Sequence, residues 1–219
     1  MTITKRQQPR LPQPAIIFDF DGTIADTFKV SIGIFERMTK RSEIFSSAEI
    51  EHLRGLSGVH VIRELRIKPW LVPFMLIRGR SMMRRSLPSI KVFKGIKPLI
   101  LDLYDQGVPL YITSSNSTTN IMEFLRVQGL DHCFIRIYGN VGLFGKARVL
   151  RRVMSTNRLD PAVVTYIGDE TRDIEAAKRV AIRSVAVTWG YNTKQLLALH
   201  DPDVIADTPA ELATALQDR

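Results

Sequence analysis

Ala15-Ile16-Ile17-Phe18-Asp19-Phe20-Asp21-Gly22-Thr23 is the stretch on which the reading of the whole chain turns. Four apolar residues lead without a break into an acid, an aromatic ring, a second acid and a glycine. A short, unbroken apolar run that ends in Asp and Gly predicts a buried strand, Ala15 to Phe20, feeding a turn. Similar runs recur at Val108 to Thr113, Phe134 to Tyr138, Val163 to Gly168 and Arg183 to Thr188, with helical patterns between them.

Strands alternating with helices predict an α/β protein, a Rossmann-like parallel sheet with helices on both faces. Several helices carry start signals. Ser117 precedes one, Thr171 lies near the start of another, and Thr208-Pro209-Ala210-Glu211 combines a capping box with Pro at the first position. Asn192 and Gln195 share the capping spacing. From Phe28 to Lys94 the strand signal disappears, while Ser46 to Glu49 and Lys68-Pro69 look like starts of successive helices. The expected organisation is an N-terminal tail over 1–14, a core built from 15–27 and 95–219, and an α-helical insertion over 28–94.

The chain has 219 residues, 45% of them hydrophobic and 24% charged, which excludes disorder and collagen-like sequence. A single cysteine, Cys133, permits no internal disulfide, and no N-terminal stretch resembles the core of a signal peptide. A cytoplasmic protein is expected. The most apolar run, Trp70 to Ile77, is far shorter than the ~20 residues a bilayer needs, so no membrane span is expected. The net charge is +9, and its location is informative. The insertion holds 14 Lys and Arg against 5 Glu, while the remainder holds 17 of each sign. A basic surplus confined to one segment implies an anionic partner there.

Residues two apart on an extended strand point to the same side, so Asp19 and Asp21 are expected to present two carboxylates together. A turn that favours Asp and Gly accounts for a lone Asp-Gly pair. Here the pair follows the first strand of an α/β sheet, at the edge where such sheets bind ligands. Two like charges so close require a cation or a shared proton, and a metal is implied. A second acidic group follows a later strand, Gly168-Asp169-Glu170-Thr171-Arg172-Asp173. Acids in the first turn of a helix also complement its dipole, by about 0.3 to 1 kcal/mol, and alone that account serves as well. Carboxylates at two strand ends are hard oxygen ligands of the kind Mg²⁺ takes, and with four His and one Cys zinc is disfavoured.

Thr113-Ser114-Ser115-Asn116-Ser117 follows the second predicted strand and enters a helix, a setting that suits an anion. Helix capping explains one such residue but does not require five. Lys146, in Phe144-Gly145-Lys146-Ala147, begins a helix, where its charge opposes the dipole. A solvated surface lysine is the simple account. A bound phosphate would reverse the balance, since a unit charge pair at 4 Å is worth roughly 4 kcal/mol at an effective dielectric of 20.

Taken in order, these four stretches resemble the haloacid dehalogenase (HAD) superfamily, from Ala15 to about Leu212, with the insertion in the usual place of a helical cap. Within it the chain is similar to the phosphoglycolate phosphatase-like branch. The resemblance implies that Asp19 is a nucleophile forming an aspartyl-phosphate and Asp21 the general acid and base. It further implies Mg²⁺ held by Asp19, the backbone carbonyl of Asp21 and Asp169, with Asp173 beside them. Ser114 and Lys146 would bind the phosphoryl group, with Thr23, Ser115 and Asn116 in the same phosphate-binding set. The second motif falls on Ser114 or, one residue earlier, on Thr113; Ser114 is preferred. Arg54-Gly55-Leu56-Ser57-Gly58 resembles a cap loop that lowers specificity residues into the site, which nominates Arg54 and Ser57. Glu170 departs from the small hydroxyl residue often found after the fourth-motif Asp.

The expected activity is Mg²⁺-dependent hydrolysis of a small organic phosphate monoester, with phosphoglycolate the substrate the resemblance suggests. Asp21 argues against carbon dehalogenation, which needs no acid for its leaving group. Two alternatives stay open: a phosphomutase of the same fold, and a non-catalytic protein that uses the basic cap to bind nucleic acid or an acidic partner. Thin aromatic interleaving argues against nucleic acid. A monomer and a homodimer are both compatible with the sequence.

Overall fold

Along the first strand, Ile16 and Phe18 pack into one apolar layer while Ala15 and Ile17 pack into another, so the sheet is covered on both faces. The computed structural model describes residues 14–39, 44–142 and 144–217; residues 1–13 of the expected tail lie outside them. The strands are β1 (Ala15–Phe18), β2 (Leu110–Thr113), β3 (Arg136–Tyr138), β4 (Val164–Gly168), β5 (Arg183–Val187) and β6 (Val204–Ala206). They form one sheet in the order β3-β2-β1-β4-β5-β6, and every pairing is parallel. Continuous apolar runs suit such strands because both faces are buried. The α/β expectation therefore holds, with some strand ends displaced and one strand added. β1 ends at Phe18, two residues early, β2 and β3 begin two residues late, at Leu110 and Arg136, and β6 is a strand the sequence did not reveal.

The helices are α1 (Phe28–Thr39), α2 (Ser47–Arg54), α3 (Gly58–Glu64), α4 (Val72–Ser86), α5 (Ile96–Asp105), α6 (Thr118–Gln128), α7 (Lys146–Asn157), α8 (Thr171–Lys178), α9 (Lys194–Leu199) and α10 (Pro209–Gln217). Leu99, Phe124 and Leu212 of α5, α6 and α10 pack on the Ile16 face. Leu150 and Val153 of α7 and Ala176 and Ala177 of α8 pack on the other. The helices α1 to α4 lie between β1 and α5 in the chain.

Local chemistry sets the helix starts. Ser46 and Glu49 form the capping box at α2, Ser117 accepts from the Asn120 amide at α6, and Thr208 accepts from the Glu211 amide at α10. Lys68-Pro69 opens a short 3₁₀ turn, Pro69–Leu71, that leads into α4. At α9 the cap is Thr193 rather than Asn192. The side chain of Asn192 is engaged elsewhere: it accepts from the Thr171 amide and donates to the carbonyls of Arg54 and Leu56.

The chain runs from β1 outward through β2 to β3, then returns to place β4 on the other side of β1. That reversal opens a crevice at the carboxyl ends of β1 and β4, where open sheets of this kind bind ligands. Phe20, between the two acids that follow β1, is fully buried and meets Phe124 of α6 edge to face, with ring centroids 5.2 Å apart. This contact anchors the acidic turn to the sheet's helical layer. Replacing Phe124 by Ala is expected to cost about 3–5 kcal/mol of stability, measurable as a lower midpoint in urea unfolding.

Candidate active site

Asp19, at the end of β1, is buried, and one of its carboxylate oxygens accepts from Lys146 Nζ at 2.9 Å. Lys146 is the first residue of α7 and is equally buried; the same ammonium also pairs with Asp173 of α8. Asp173 accepts further hydrogen bonds from the Tyr166 hydroxyl, at 2.9 Å, and the Glu170 amide, at 3.0 Å. Asp169, after β4, accepts from the Thr23 hydroxyl at 2.8 Å and the Tyr191 amide at 2.7 Å. Oxygen atoms of Asp19, Asp169 and Asp173 all lie within 4.8 Å of one another.

Glycines leave room for this cluster. A side chain at Gly22 or Gly190 would run into the Asp169 carboxylate, and one at Gly168 into Asp173. Gly22 also has a φ of +80°, in the left-handed region where glycine is favoured.

Asp21 has different partners. Its carboxylate accepts from Ser114 Oγ at 3.2 Å and Asn116 Nδ2 at 3.1 Å. The expectation that Asp19 and Asp21 point together assumed an extended strand. The chain leaves that geometry at Phe18, and the Phe20 carbonyl accepts from the amides of Ile24 and Ala25 in the turn that follows. Thr113 faces the other way from Ser114, donating to the Tyr166 hydroxyl at 3.1 Å. Asn116 is buried and its amide donates to Ser114 Oγ. The Ser115 carbonyl accepts from Arg80 of α4 at 2.7 Å.

The two residues nominated from the inserted loop make no hydrogen bond to Asp19, Asp21, Asp169 or Asp173 among the described residues. Arg54 donates to the carbonyls of Gly190 and Tyr191 and to Glu51, with its guanidinium over the Phe28 ring. It ties α2 to the loop that holds Asp169. Ser57 bonds His60 at 2.7 Å, and it lines a cavity of about 150 Å³ together with Lys146 and Arg172.

Burial raises the pKa of Asp19 to about 7, against the pull of Lys146. Burial also raises Asp21, opposed by hydrogen bonds from Asn116, Thr27 and Ser114. Asp169 is pushed well above its ordinary value by burial and then by the Asp19 charge. Burial would lower Lys146, but Asp173 and Asp19 outweigh it and hold the lysine charged.

With all three carboxylates ionised, the one ammonium leaves two negative charges in the cluster, which one divalent cation would balance. Asp19 Oδ1 is buried without a hydrogen-bond partner among the described residues, a fit for a ligand atom awaiting a cation. The donors are all carboxylate oxygens, so the site can hold a hard metal ion.

Sequence reasoning missed several participants. Tyr166 reads as core strand, Gly190 and Tyr191 follow β5 without any acidic signal, and Asn192 reads as a helix cap. The Tyr191 hydroxyl bonds Ser31 at 2.5 Å and Thr27 at 3.1 Å, joining this loop to the inserted helices. Arg172 is half-buried and pairs with Glu170 at 2.5 Å, while its buried Nε is unpaired among the described residues.

A parallel sheet whose strand ends converge carboxylates, a buried lysine and a hydroxyl-lined turn on one crevice defines a phosphoryl-transfer type of α/β enzyme. The sequence profile of the family described as haloacid dehalogenase-like hydrolase matches residues 16–187. The chain is 35% identical over 204 residues to a phosphoglycolate phosphatase of Synechococcus elongatus, covering 92% of this chain and 96% of that protein. Among solved structures it resembles a predicted phosphatase from Clostridium acetobutylicum, with a TM-score of 0.79 at 19% identity over 95% of this chain and 100% of that one. It also resembles a haloacid dehalogenase-like family hydrolase from Streptococcus pneumoniae, with a TM-score of 0.76 at 24% identity over 94% and 99%. The chain belongs to the haloacid dehalogenase-like hydrolase family, in its phosphoglycolate phosphatase-like branch, and is a phosphoric monoester hydrolase.

The cluster makes a prediction about pH. Asp19 in the folded protein sits near 7 against an ordinary 3.8, so its contribution to stability is full below the lower value and lost as pH rises through the higher. The metal-free protein is expected to lose thermal stability between about pH 5 and about pH 8, and added Mg²⁺ to raise Tm more at the higher pH. Calorimetry with and without EDTA checks this; an equal Mg²⁺ effect at both pH values would contradict the carboxylate cluster as the binding site.

Proposed function

We propose that the protein hydrolyses a small organic phosphate monoester through an aspartyl-phosphate on Asp19, with Mg²⁺ held by Asp19, Asp169 and the backbone carbonyl of Asp21, and with phosphoglycolate the first substrate to assay. The observation that carries this reading is the buried Asp19 carboxylate, bonded through one oxygen to Lys146 and left with the other unpaired among the described residues. The name of the Synechococcus relative supports the choice of substrate.

In the first step an oxygen of Asp19 attacks phosphorus and the ester P–O bond breaks. The departing oxygen takes the proton of the Asp21 carboxyl, giving the free alcohol. Burial favours the protonated form of Asp21, as an acid catalyst requires. Ser114 and Asn116 orient that carboxyl. In the second step water attacks phosphorus, returns a proton to Asp21, and the P–O bond to Asp19 breaks to release inorganic phosphate. Lys146 holds Asp19 in place and adds positive charge beside the phosphoryl oxygens. A bound divalent cation supplies charge neutralisation for the transferring group. The helices of 28–94 act as a cap over this chemistry, and their positive surplus draws anionic esters to the crevice.

Asp19→Asn is expected to reduce kcat at least about 10³-fold. Asp21→Asn should cost about 10²–10⁴-fold on an alkyl phosphate and much less on p-nitrophenyl phosphate, whose leaving group departs without a proton. Phosphate release in a steady-state assay measures both. Full turnover by the Asp19 variant would overturn the proposal, and isomer formation without phosphate release would favour a mutase.

A further inference from the structure

Between the inserted helices and the acidic turn lies a cavity of about 330 Å³. Its upper wall is apolar, with Ile34 and Phe35 from α1 and Met75 and Leu76 from α4. Its floor is Asp21, Ser115 and Asn116. Arg80 of α4 joins the two surfaces.

Among the described residues, Arg54 and Arg80 are the two cations of the insertion that are only partly exposed. Arg54 pairs with Glu51 and Arg84 with Glu123, and across the cavity Arg172 pairs with Glu170. Arg80 has no carboxylate within ion-pair distance among the described residues, although it is only partly exposed. Its Nε donates to the Ser115 carbonyl at 2.7 Å, which fixes the guanidinium plane, and its two Nη atoms carry no hydrogen bond to the described residues. The backbone is fixed as well. Asn120 Nδ2 donates to the Arg80 carbonyl at 2.9 Å and to Asn116 Oδ1 at 2.9 Å, while Asn116 Nδ2 donates to Asp21 at 3.1 Å. A continuous run of hydrogen bonds thus holds Arg80 in register with the carboxyl group that meets the leaving oxygen. A pre-oriented guanidinium against apolar walls is strongly disposed to pair with a planar anion such as a carboxylate.

We propose that Arg80 is a specificity-determining residue whose Nη atoms bind a second acidic group, a carboxylate on the organic part of the phosphate ester, so that the enzyme prefers phosphorylated organic acids to neutral esters of the same size. This rests on the phosphatase reading above. Asp19, Lys146 and Ser114 act on the phosphoryl group common to all esters, whereas Arg80 acts on what distinguishes one leaving group from another.

The test compares kcat/KM for phosphoglycolate with that for ethyl phosphate, esters of similar size that differ in the carboxylate. The wild type is expected to favour phosphoglycolate. In Arg80→Gln the ratio of the two should fall about 10- to 100-fold, the range of a charge-assisted hydrogen bond. Arg80→Lys, which keeps the charge but loses the fork, should recover part of it. Because the ratio is taken within one preparation, a partly unfolded variant lowers both rates and leaves it unmoved. A ratio within twofold of wild type in both variants overturns the proposal, as does a wild type with no preference for phosphoglycolate; in either case hydrolysis of ethyl phosphate leaves the phosphatase reading standing. Hydrolysis of neither ester with Mg²⁺ present overturns both.

Discussion

Asp19, Asp169 and Asp173 share a buried volume in which Lys146 supplies the one ammonium among them. Like charges at such spacing repel by several kcal/mol at a protein-like dielectric, about 4 kcal/mol for a unit pair at 4 Å. Much of the surrounding structure serves to hold them there. Tyr166 and the Glu170 amide hold Asp173, and Thr23 and the Tyr191 amide hold Asp169. Glycines 22, 168 and 190 provide space that any side chain would take away. Removing one partner of a buried charge group leaves the rest uncompensated, which is why such a cluster tolerates little change.

The strands and the acids were legible in the sequence for one physical reason. A strand buried on both faces needs an unbroken apolar run, so an acid at its end stands out as the first residue that burial alone cannot explain. β6 was not legible because Val204-Ile205-Ala206 is too short a run to separate from a loop. Counting left Thr113 and Ser114 as alternatives; in the fold one hydroxyl meets Tyr166 and the other Asp21. Tyr166 had no signal at all, since an aromatic residue in a core strand looks the same whether or not its hydroxyl serves an acid. Arg80 was one of 14 cations in the insertion, and only its burial and lack of a carboxylate partner single it out.

The insertion combines two electrostatic regimes. Most of its lysines and arginines are exposed, as with Arg63, Lys68, Arg78 and Arg85, and contribute a diffuse field that salt will screen within about 10 Å at 0.1 M. Arg54 and Arg80 instead reach the core and bond its backbone carbonyls. The first kind raises the encounter rate of any anion, and the second is tied to particular positions of the chain. Among the described residues no helix is long and apolar enough to cross a membrane, and the apolar Trp70 to Ile77 segment lies in the 3₁₀ turn Pro69–Leu71 and the first half of α4.

Asp169 is held by Thr23, 146 residues earlier, and Lys146 binds Asp19 across 127 residues. The loop that closes over Asp169 comes from Gly190 and Tyr191. Contacts so distant along the chain carry a larger loop-closure cost than contacts between near neighbours. Until the segments carrying Thr23, Lys146 and Tyr191 have met, nothing withdraws the aspartates from water, so their perturbed acidity is a property of the assembled fold rather than of any one stretch of chain.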